Sequence, residues 1–147
     1  MPHPSVIVFD LDGTLVDTAP DIAATMNVLL ERRGRHRLEV DDVHKFIGQG
    51  VGVLMARALT ATGAPAQDDE MAAMVDEFLV HYEANIANHS SLYPGVLTAL
   101  ETYRAAGVTM AVCTNKLEAP SRLLLESLGV TDYFAAIVGG DTLPVRK

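Results

Sequence analysis

The sequence predicts an α/β fold in which a parallel sheet is interrupted by a helical insertion, and three observations support this prediction. Val6 to Phe9 form an unbroken, mostly β-branched apolar run, which is typical of a strand buried on both faces of a parallel sheet. Val108 to Thr114 form a second such run much later in the chain. Between them, everything from Asp21 to Ala87 has helical periodicity. Alternation of this kind indicates one sheet domain that contains an inserted module.

Composition limits the possible functions. The 147 residues are 49% hydrophobic and 20% charged, which is a globular composition and enough for one domain with a core and a small inserted module. The net charge of −8 disfavours nonspecific binding to nucleic acid. No signal-like start and no apolar stretch long enough for a membrane span occur, so we expect a cytoplasmic protein with no membrane partner. Cys113 is the single cysteine, which fits a reducing compartment.

Two carboxylates follow the first strand. Asp10 and Asp12 come where this strand should end, and Gly13 and Thr14 follow them. Ligands of open α/β sheets lie beyond the carboxyl ends of the strands, so these acids are candidates for chemistry. Asp and Gly are also common turn residues, and an ordinary turn is the alternative interpretation.

Two acids this close together repel each other unless a cation lies between them or one of them holds a proton. Mg2+ suits them because it takes oxygen ligands and commonly uses one or two carboxylates together with substrate phosphate. Asp10 and Asp12 are therefore candidate Mg2+ ligands. A carboxylate can also act as a nucleophile and form an aspartyl-phosphate.

The remaining elements follow from periodicity and from the residues that interrupt it. The insertion should contain four helices, and a flexible loop, Ile47 to Gly52, should precede the third. After turn residues Leu92 to Gly95, helices and strands should alternate. The predicted elements are helices from Asp21 to a stop at Gly34, Val40 to Phe46, Val51 to Ala61, Asp68 or Asp69 to about Ala87, Val96 to Ala106 and Glu118 to Leu128, and strands Val108 to Thr114 and Tyr133 to Val138.

The run DLDGTLVDT after a buried strand resembles the first motif of the haloacid dehalogenase superfamily. The resemblance implies a Rossmann-like sheet, with Asp10 as the nucleophile and Asp12 as the general acid/base. It also implies phosphoryl transfer, since dehalogenases and phosphonatases of this superfamily lack an acid at the position of Asp12. Lys147, with Arg146 as its alternative, would balance the charge of the nucleophile and the phosphoryl group.

The loop after the second strand has the superfamily's second motif. Thr114 matches the Ser or Thr whose hydroxyl can donate to a phosphoryl oxygen, although a Thr is also favourable at a strand end for its β-propensity. Asn115, Lys116 and Thr14 are further candidates for contact with the substrate.

The helical block matches the position of a mobile cap in this superfamily. We expect residues 1–17 and 92–147 to form the phosphatase core and residues 18–91 to form the cap, with Gly48 and Gly50 on a substrate-facing loop. A dinucleotide-binding loop is excluded because position 53 is Val and the preceding residues are helical. The resemblance implies a small phosphorylated metabolite as substrate.

Longer matches resemble the phosphoglycolate phosphatases of the superfamily and imply hydrolysis of 2-phosphoglycolate. We expect the protein to be a monomer or homodimer. The alternatives are a sugar-phosphate phosphatase, a β-phosphoglucomutase-like isomerase and a non-catalytic remnant. The resemblance places the first strand between the strand of the second motif and the strand of the fourth motif. The acids of the fourth motif should follow Lys147, so we expect a C-terminally truncated, incomplete core in which the first strand keeps only the second-motif strand as a neighbour. The matching segments are FDLDGTLVDTAPDI, IGQGVGVLMARAL, YPGV, AVCTNK and VGGDTLPVRK.

Overall fold

In the computed structural model, which describes residues 4–147, the chain divides into two units. The first, the sheet unit, comprises Met1–Asp17 and Ser91–Lys147, and the second, the helical unit, comprises Thr18–Ser90. The elements in chain order are β1 (Val6–Phe9), β2 (Val16–Asp17), α1 (Ala19–Arg32), α2 (Val40–Phe46), α3 (Val51–Thr62), α4 (Asp68–Ala84), β3 (Ser91–Leu92), α5 (Val96–Ala105), β4 (Thr109–Cys113), α6 (Glu118–Ser127), the 3-10 turn Thr131–Tyr133 and β5 (Ala136–Val138).

The main sheet is parallel, with strand order β1-β4-β5. Val6 pairs with Thr109 and Phe9 pairs with Val112, so β1 and β4 run in register and end side by side. The pairing of β1 with β4 agrees with the resemblance described above. It places the loop that contains Asp10 and Asp12 next to the loop that begins at Thr114.

The prediction that β1 is buried on both faces is wrong for two of its residues. Val6 and Val8 are 53% and 59% exposed. Alternate residues of a strand share a face, and in the described part of the chain β1 is the outer strand of the sheet. On the other face the ring of Phe9 packs 6.5 Å from Tyr103 and 6.3 Å from Phe134, measured between ring centroids.

The third strand begins later than predicted. Residues Thr131–Tyr133 form a 3-10 turn, closed by the Tyr133 N–H donating to the Val130 carbonyl at 3.2 Å. The Arg104 guanidinium also lies 4.1 Å from the centroid of the Tyr133 ring, which is a cation–π contact. β5 is therefore limited to Ala136–Val138.

A short antiparallel ribbon was not predicted. Val16 pairs with Leu92 and Asp17 with Ser91, which assigns Ser91 to the sheet unit and moves the predicted boundary by one residue. Two-residue strands are too short to show the alternation that identifies a strand in a sequence.

The helical unit has its own core, formed where α1 packs on α2 and α4 and where α3 packs on α4. α1 begins at Ala19, before the predicted start at Asp21, because Pro20 is well suited to a first helical turn. It ends before Gly34, whose φ of +64° fits the predicted helix stop. Large buried side chains fill this core: Met26, Leu29, Leu30, Met55, Leu59, Met74 and Tyr82.

α4 ends at Ala84 and not near the predicted Ala87. The Asn85 side-chain amide donates to the His81 carbonyl at 2.9 Å, and the Asn85 backbone N–H donates to the Tyr82 carbonyl at 3.0 Å. The Asn85 side chain thus satisfies a carbonyl that a longer helix would have bonded. Among the described helices, none has both the length and the apolar character that crossing a membrane requires.

Candidate active site

The loop after β1 turns back directly after its two acids. The Leu11 carbonyl accepts the N–H groups of Thr14, Leu15 and Val16 at 3.0 to 3.2 Å. Gly13 supplies the positive φ of +78° that this turn requires. Leu11 is completely buried, and its burial holds the two flanking carboxylates at the end of the strand.

Asp10 contacts the predicted charge-balancing lysine. Lys147 Nζ lies 3.1 Å from Asp10 Oδ1 and donates to the Cys113 carbonyl at 3.3 Å. The Leu11 N–H donates to the same Oδ1 at 2.8 Å. The Lys147 and Asp10 side chains are 41% and 33% exposed, so this pair lies at the surface, within reach of a ligand.

Asp12 contacts a second lysine, and this contact was not predicted. Lys116 Nζ lies 3.1 Å from Asp12 Oδ1 and 3.4 Å from Oδ2. Their side chains are only 9% and 11% exposed, so water screens the two charges weakly. The sequence predicted that Lys116 contacts substrate. The only sequence feature that pointed to an ion pair with Asp12 was the position of Lys116 directly after the polar end of a strand.

Thr114 lies at the base of the same loop. It is 3% exposed, its N–H donates to the Val138 carbonyl at 2.9 Å, and its Oγ1 accepts the Lys116 N–H at 3.1 Å. Asn115 is half-buried beside it, and Thr14 is exposed on the neighbouring loop. The sheet unit therefore brings together Asp10, Asp12, Thr114, Lys116 and Lys147.

Gly48 and Gly50 belong to the helical unit. They lie between α2 and α3 with φ values of +112° and +92°. Arg57 holds this loop, since its guanidinium donates to the Phe46 carbonyl at 3.3 Å and to Gln49 Oε1 at 3.1 Å. That Gly48 and Gly50 contact substrate stays a prediction.

The site has the right type of donor for Mg2+. Asp10 and Asp12 offer carboxylate oxygens, and a pair of carboxylates completed by substrate phosphate is a usual arrangement for this ion. Across residues 4–147, no cluster of three or more His, Cys, Asp or Glu side chains is placed to hold a metal. Because Lys147 and Lys116 already neutralise the two acids, a cation would compete with both ammonium groups.

The fold and the site define a class of protein: an α/β domain in which two acids after one parallel strand meet two lysines and a buried threonine from the segments after the other two strands. The model of the haloacid dehalogenase-like hydrolase family matches residues 7–147. The chain belongs to this family, as the resemblance of its first motif implied.

Similar proteins are consistent with that assignment. The chain is 46% identical over 141 residues to a phosphoglycolate phosphatase of Cereibacter sphaeroides, covering 96% of this chain and 65% of that protein. It is 40% identical over 143 residues to a phosphoglycolate phosphatase of Caulobacter vibrioides, covering 97% of this chain and 60% of that protein. The crystal structure of a predicted phosphoglycolate phosphatase from Haemophilus somnus matches all of this chain and 67% of that one, with 34% identity and a TM-score of 0.92.

The chain thus spans 60 to 65% of the length of these two curated relatives.

Proposed function

We propose that this chain provides the nucleophile, the acid/base group and the phosphate-facing lysines of a phosphomonoester hydrolase. The observation that supports it best is that the two acids after β1 are each paired with a lysine: Asp10 with Lys147, and Asp12 with Lys116, which follows the adjacent parallel strand β4. The proposed substrate is a small phosphorylated metabolite, 2-phosphoglycolate in the first instance, because relatives at 40 and 46% identity are phosphoglycolate phosphatases.

In the proposed reaction, an Asp10 carboxylate oxygen attacks phosphorus and the bond between phosphorus and the ester oxygen breaks. In this cycle Asp12 begins with a proton, unlike the ion-paired carboxylate of the structure, and gives it to the departing alkoxide, so glycolate leaves with its hydroxyl group restored. Water then attacks the aspartyl-phosphate, Asp12 takes a proton from that water, and inorganic phosphate is released. The cycle returns both carboxylates to their starting state.

The lysines and Thr114 have distinct parts in this proposal. Lys147, 3.1 Å from Asp10, offsets the charge that accumulates when a phosphate dianion approaches a carboxylate. Lys116 keeps Asp12 beside the leaving group. The Thr114 hydroxyl, which already accepts the Lys116 N–H, retains its hydrogen for a phosphoryl oxygen.

Mg2+ is the proposed cofactor. Asp10 and Asp12 would hold the ion, which when bound neutralises phosphoryl oxygens. We also assign the helical unit as the family's cap, with its Gly48 and Gly50 loop selecting the substrate, and we place the protein in the cytoplasm as a monomer or homodimer.

The deciding experiment measures phosphate release by the protein expressed from its complete natural gene, in the presence of Mg2+ and in the presence of EDTA. The substrates are 2-phosphoglycolate, glucose 6-phosphate, β-glucose 1-phosphate and p-nitrophenyl phosphate, with Asp10→Asn as the control for contaminating phosphatase. Preferred release from 2-phosphoglycolate is the expected result. Preferred release from sugar phosphates would contradict the proposed substrate and indicate a sugar-phosphate phosphatase. Isomerisation of β-glucose 1-phosphate without phosphate release would contradict the proposed hydrolysis and indicate an isomerase.

A further inference from the structure

We propose that Asp141 is a positioning residue for Lys116: by capping α6 it fixes the loop that presents the lysine to Asp12. Asp141 is not among the residues that the family resemblance assigns to the site. The kinetic consequence rests on the proposed function, whereas the structural consequence does not.

Asp141 supplies a cap that the local sequence lacks. Leu117, at the N-cap position of α6, has no side-chain oxygen, although the first N–H groups of a helix need an acceptor. Asp141 Oδ1 accepts the Glu118 N–H at 2.8 Å from 23 positions further along the chain. A carboxylate here also interacts favourably with the positive end of the helix dipole.

The backbone before Asp141 packs directly on the Lys116 loop. The Gly140 N–H donates to the Lys116 carbonyl at 2.7 Å. A Cβ on Gly139 would lie 2.4 Å from the Glu118 nitrogen, and a Cβ on Gly140 would lie 2.4 Å from the Asn115 oxygen. Only glycine allows the two backbones to approach this closely.

Thr142 links residues 139–142 to one another and to the first turn of α6. Its Oγ1 accepts the Gly139 N–H at 2.7 Å and donates to Glu118 Oε2 at 2.7 Å. Residues 139–142 therefore form a clasp, held to α6 by Asp141 and Thr142 and to the Lys116 loop by Gly140.

Lys116 is consequently held at both backbone polar groups. Its N–H donates to Thr114 Oγ1 at 3.1 Å, and its carbonyl accepts the Gly140 N–H. A lysine side chain has many rotamers, so a fixed backbone restricts where Nζ can lie. The clasp thereby favours the 3.1 Å contact between Lys116 and Asp12, which Asp141 does not itself touch.

The test compares Asp141→Ala, which removes the cap, with Asp141→Asn, which keeps a capping oxygen. Asp132→Ala is the matched control, since Asp132 is an exposed aspartate on the neighbouring 3-10 turn. All variants are made in the protein as its natural reading frame encodes it. The first readout is amide hydrogen exchange at Lys116 and Glu118, which should become faster only in Asp141→Ala.

The second readout is a kinetic cycle with Lys116→Ala. Asp141→Ala should lower kcat for 2-phosphoglycolate on the order of tenfold with little change in KM, as expected for misplacement of a catalytic group. Asp141→Asn should restore most of that loss. Because Asp141 acts through Lys116, adding Asp141→Ala to Lys116→Ala should cost nothing further.

An additional loss in the Lys116→Ala background would overturn the proposal, as would unchanged exchange at Lys116 in Asp141→Ala. If the wild-type protein hydrolyses no phosphate ester, the proposed function fails, and the exchange experiment still decides the positioning role. If Asp141→Ala does not fold, Thr142→Val takes its place. It removes two bonds of the clasp at an exposed position, and it should give a smaller loss that is likewise absent in the Lys116→Ala background.

Discussion

Lys116 Nζ lies 3.1 Å from Asp12 Oδ1 although 104 positions separate the two residues in the chain. Both side chains are about nine-tenths buried, whereas the neighbouring pair of Asp10 and Lys147 is substantially exposed. Salt and water therefore screen the pair of Asp10 and Lys147 much more than the pair of Asp12 and Lys116. The two acids lie in different environments, which is how two carboxylates of one site take different roles.

Replacing Lys116 by Ala should destabilise the sheet unit. The change leaves the Asp12 carboxylate without its buried ion-pair partner, and such a loss typically costs about 3 kcal/mol in the free energy of unfolding. Urea denaturation without divalent cations measures this. Lys45→Ala is the control, since Lys45 is 72% exposed and lies 3.8 Å from Asp42. A loss as small as that of the control would show that the buried pair contributes little.

Replacing Asp10 by Asn should abolish turnover on every phosphate ester. The amide is a poor nucleophile and forms no aspartyl-phosphate, yet its oxygen can still accept the Leu11 N–H, so the fold should persist. Phosphate release and circular dichroism of the same preparation check both parts. Near-normal hydrolysis by a folded Asp10→Asn protein would refute the nucleophile assignment.

Replacing Asp12 by Asn should affect substrates unequally. Loss of a general acid typically costs 10²- to 10⁴-fold, and only poor leaving groups need the proton. We expect losses of that order on 2-phosphoglycolate and much smaller ones in the first half-reaction with p-nitrophenyl phosphate. Burst kinetics separates release of nitrophenol from the later attack of water. Equal losses for both substrates would argue against a proton donor at Asp12.

The ion pairs of Glu77 should make the stability of the helical unit depend on pH. Hydrogen bonds from Arg33, at 2.9 Å, and from Arg32 lower the pKa of the Glu77 carboxyl. A lowered folded-state pKa means that the stabilisation is present above the unfolded-state pKa and is lost as the pH falls through the folded-state value.

Glu77→Gln should therefore lower the free energy of unfolding by about 0.5 to 1 kcal/mol at pH 7, as is usual for partly exposed ion pairs. This loss should become smaller as the solution is acidified. Denaturation at a series of pH values measures this. Glu83→Gln, at an exposed position of the same helix, is the matched control. If Glu77→Gln lowered the free energy of unfolding by the same amount from pH 7 to pH 3, the lowered pKa of Glu77 would be contradicted.

Asp21 should be a strong determinant of stability in the helical unit. Its carboxylate is 2% exposed and accepts the His89 N–H, the Ser90 N–H and the Ser90 hydroxyl at 2.7 to 3.1 Å. Asp21→Ala leaves these donors without their acceptor and should cost roughly 2 to 4 kcal/mol. Chemical denaturation tests this against Asp69→Ala, an exposed acid in the first turn of α4. A similar loss in both variants would show that the bonds to Asp21 are replaced by water.

Element type and order were largely predictable from the sequence. α2 has the predicted bounds, Val40–Phe46, and β1 pairs with β4 as the family resemblance implies. The parallel sheet also follows, since buried apolar strands that alternate with helices have few other arrangements. Errors occurred at element ends, such as Asn85 and Tyr133, where a hydrogen bond or ring contact competes with the local pattern.

The candidate site was predictable only in part. The acids Asp10 and Asp12 were found because a strand end followed by two carboxylates is a local pattern. Asp141 was not assigned to the site, because its contact with the Glu118 N–H joins two different loops and no periodicity records it.

By itself, then, the sequence determined the elements and the residues at their ends, because side-chain periodicity and turn chemistry act over a few neighbouring positions. Only the tertiary structure decided which charges meet. Lys116 reaches Asp12 because β1 and β4 are adjacent and end together. Lys147, in the segment after β5, reaches Asp10 past the carboxyl end of β4, where it also donates to the Cys113 carbonyl. The exposure of Val6 and Val8 was decided in the same way, since burial depends on which elements lie beside a strand and not on the hydrophobicity of its own residues.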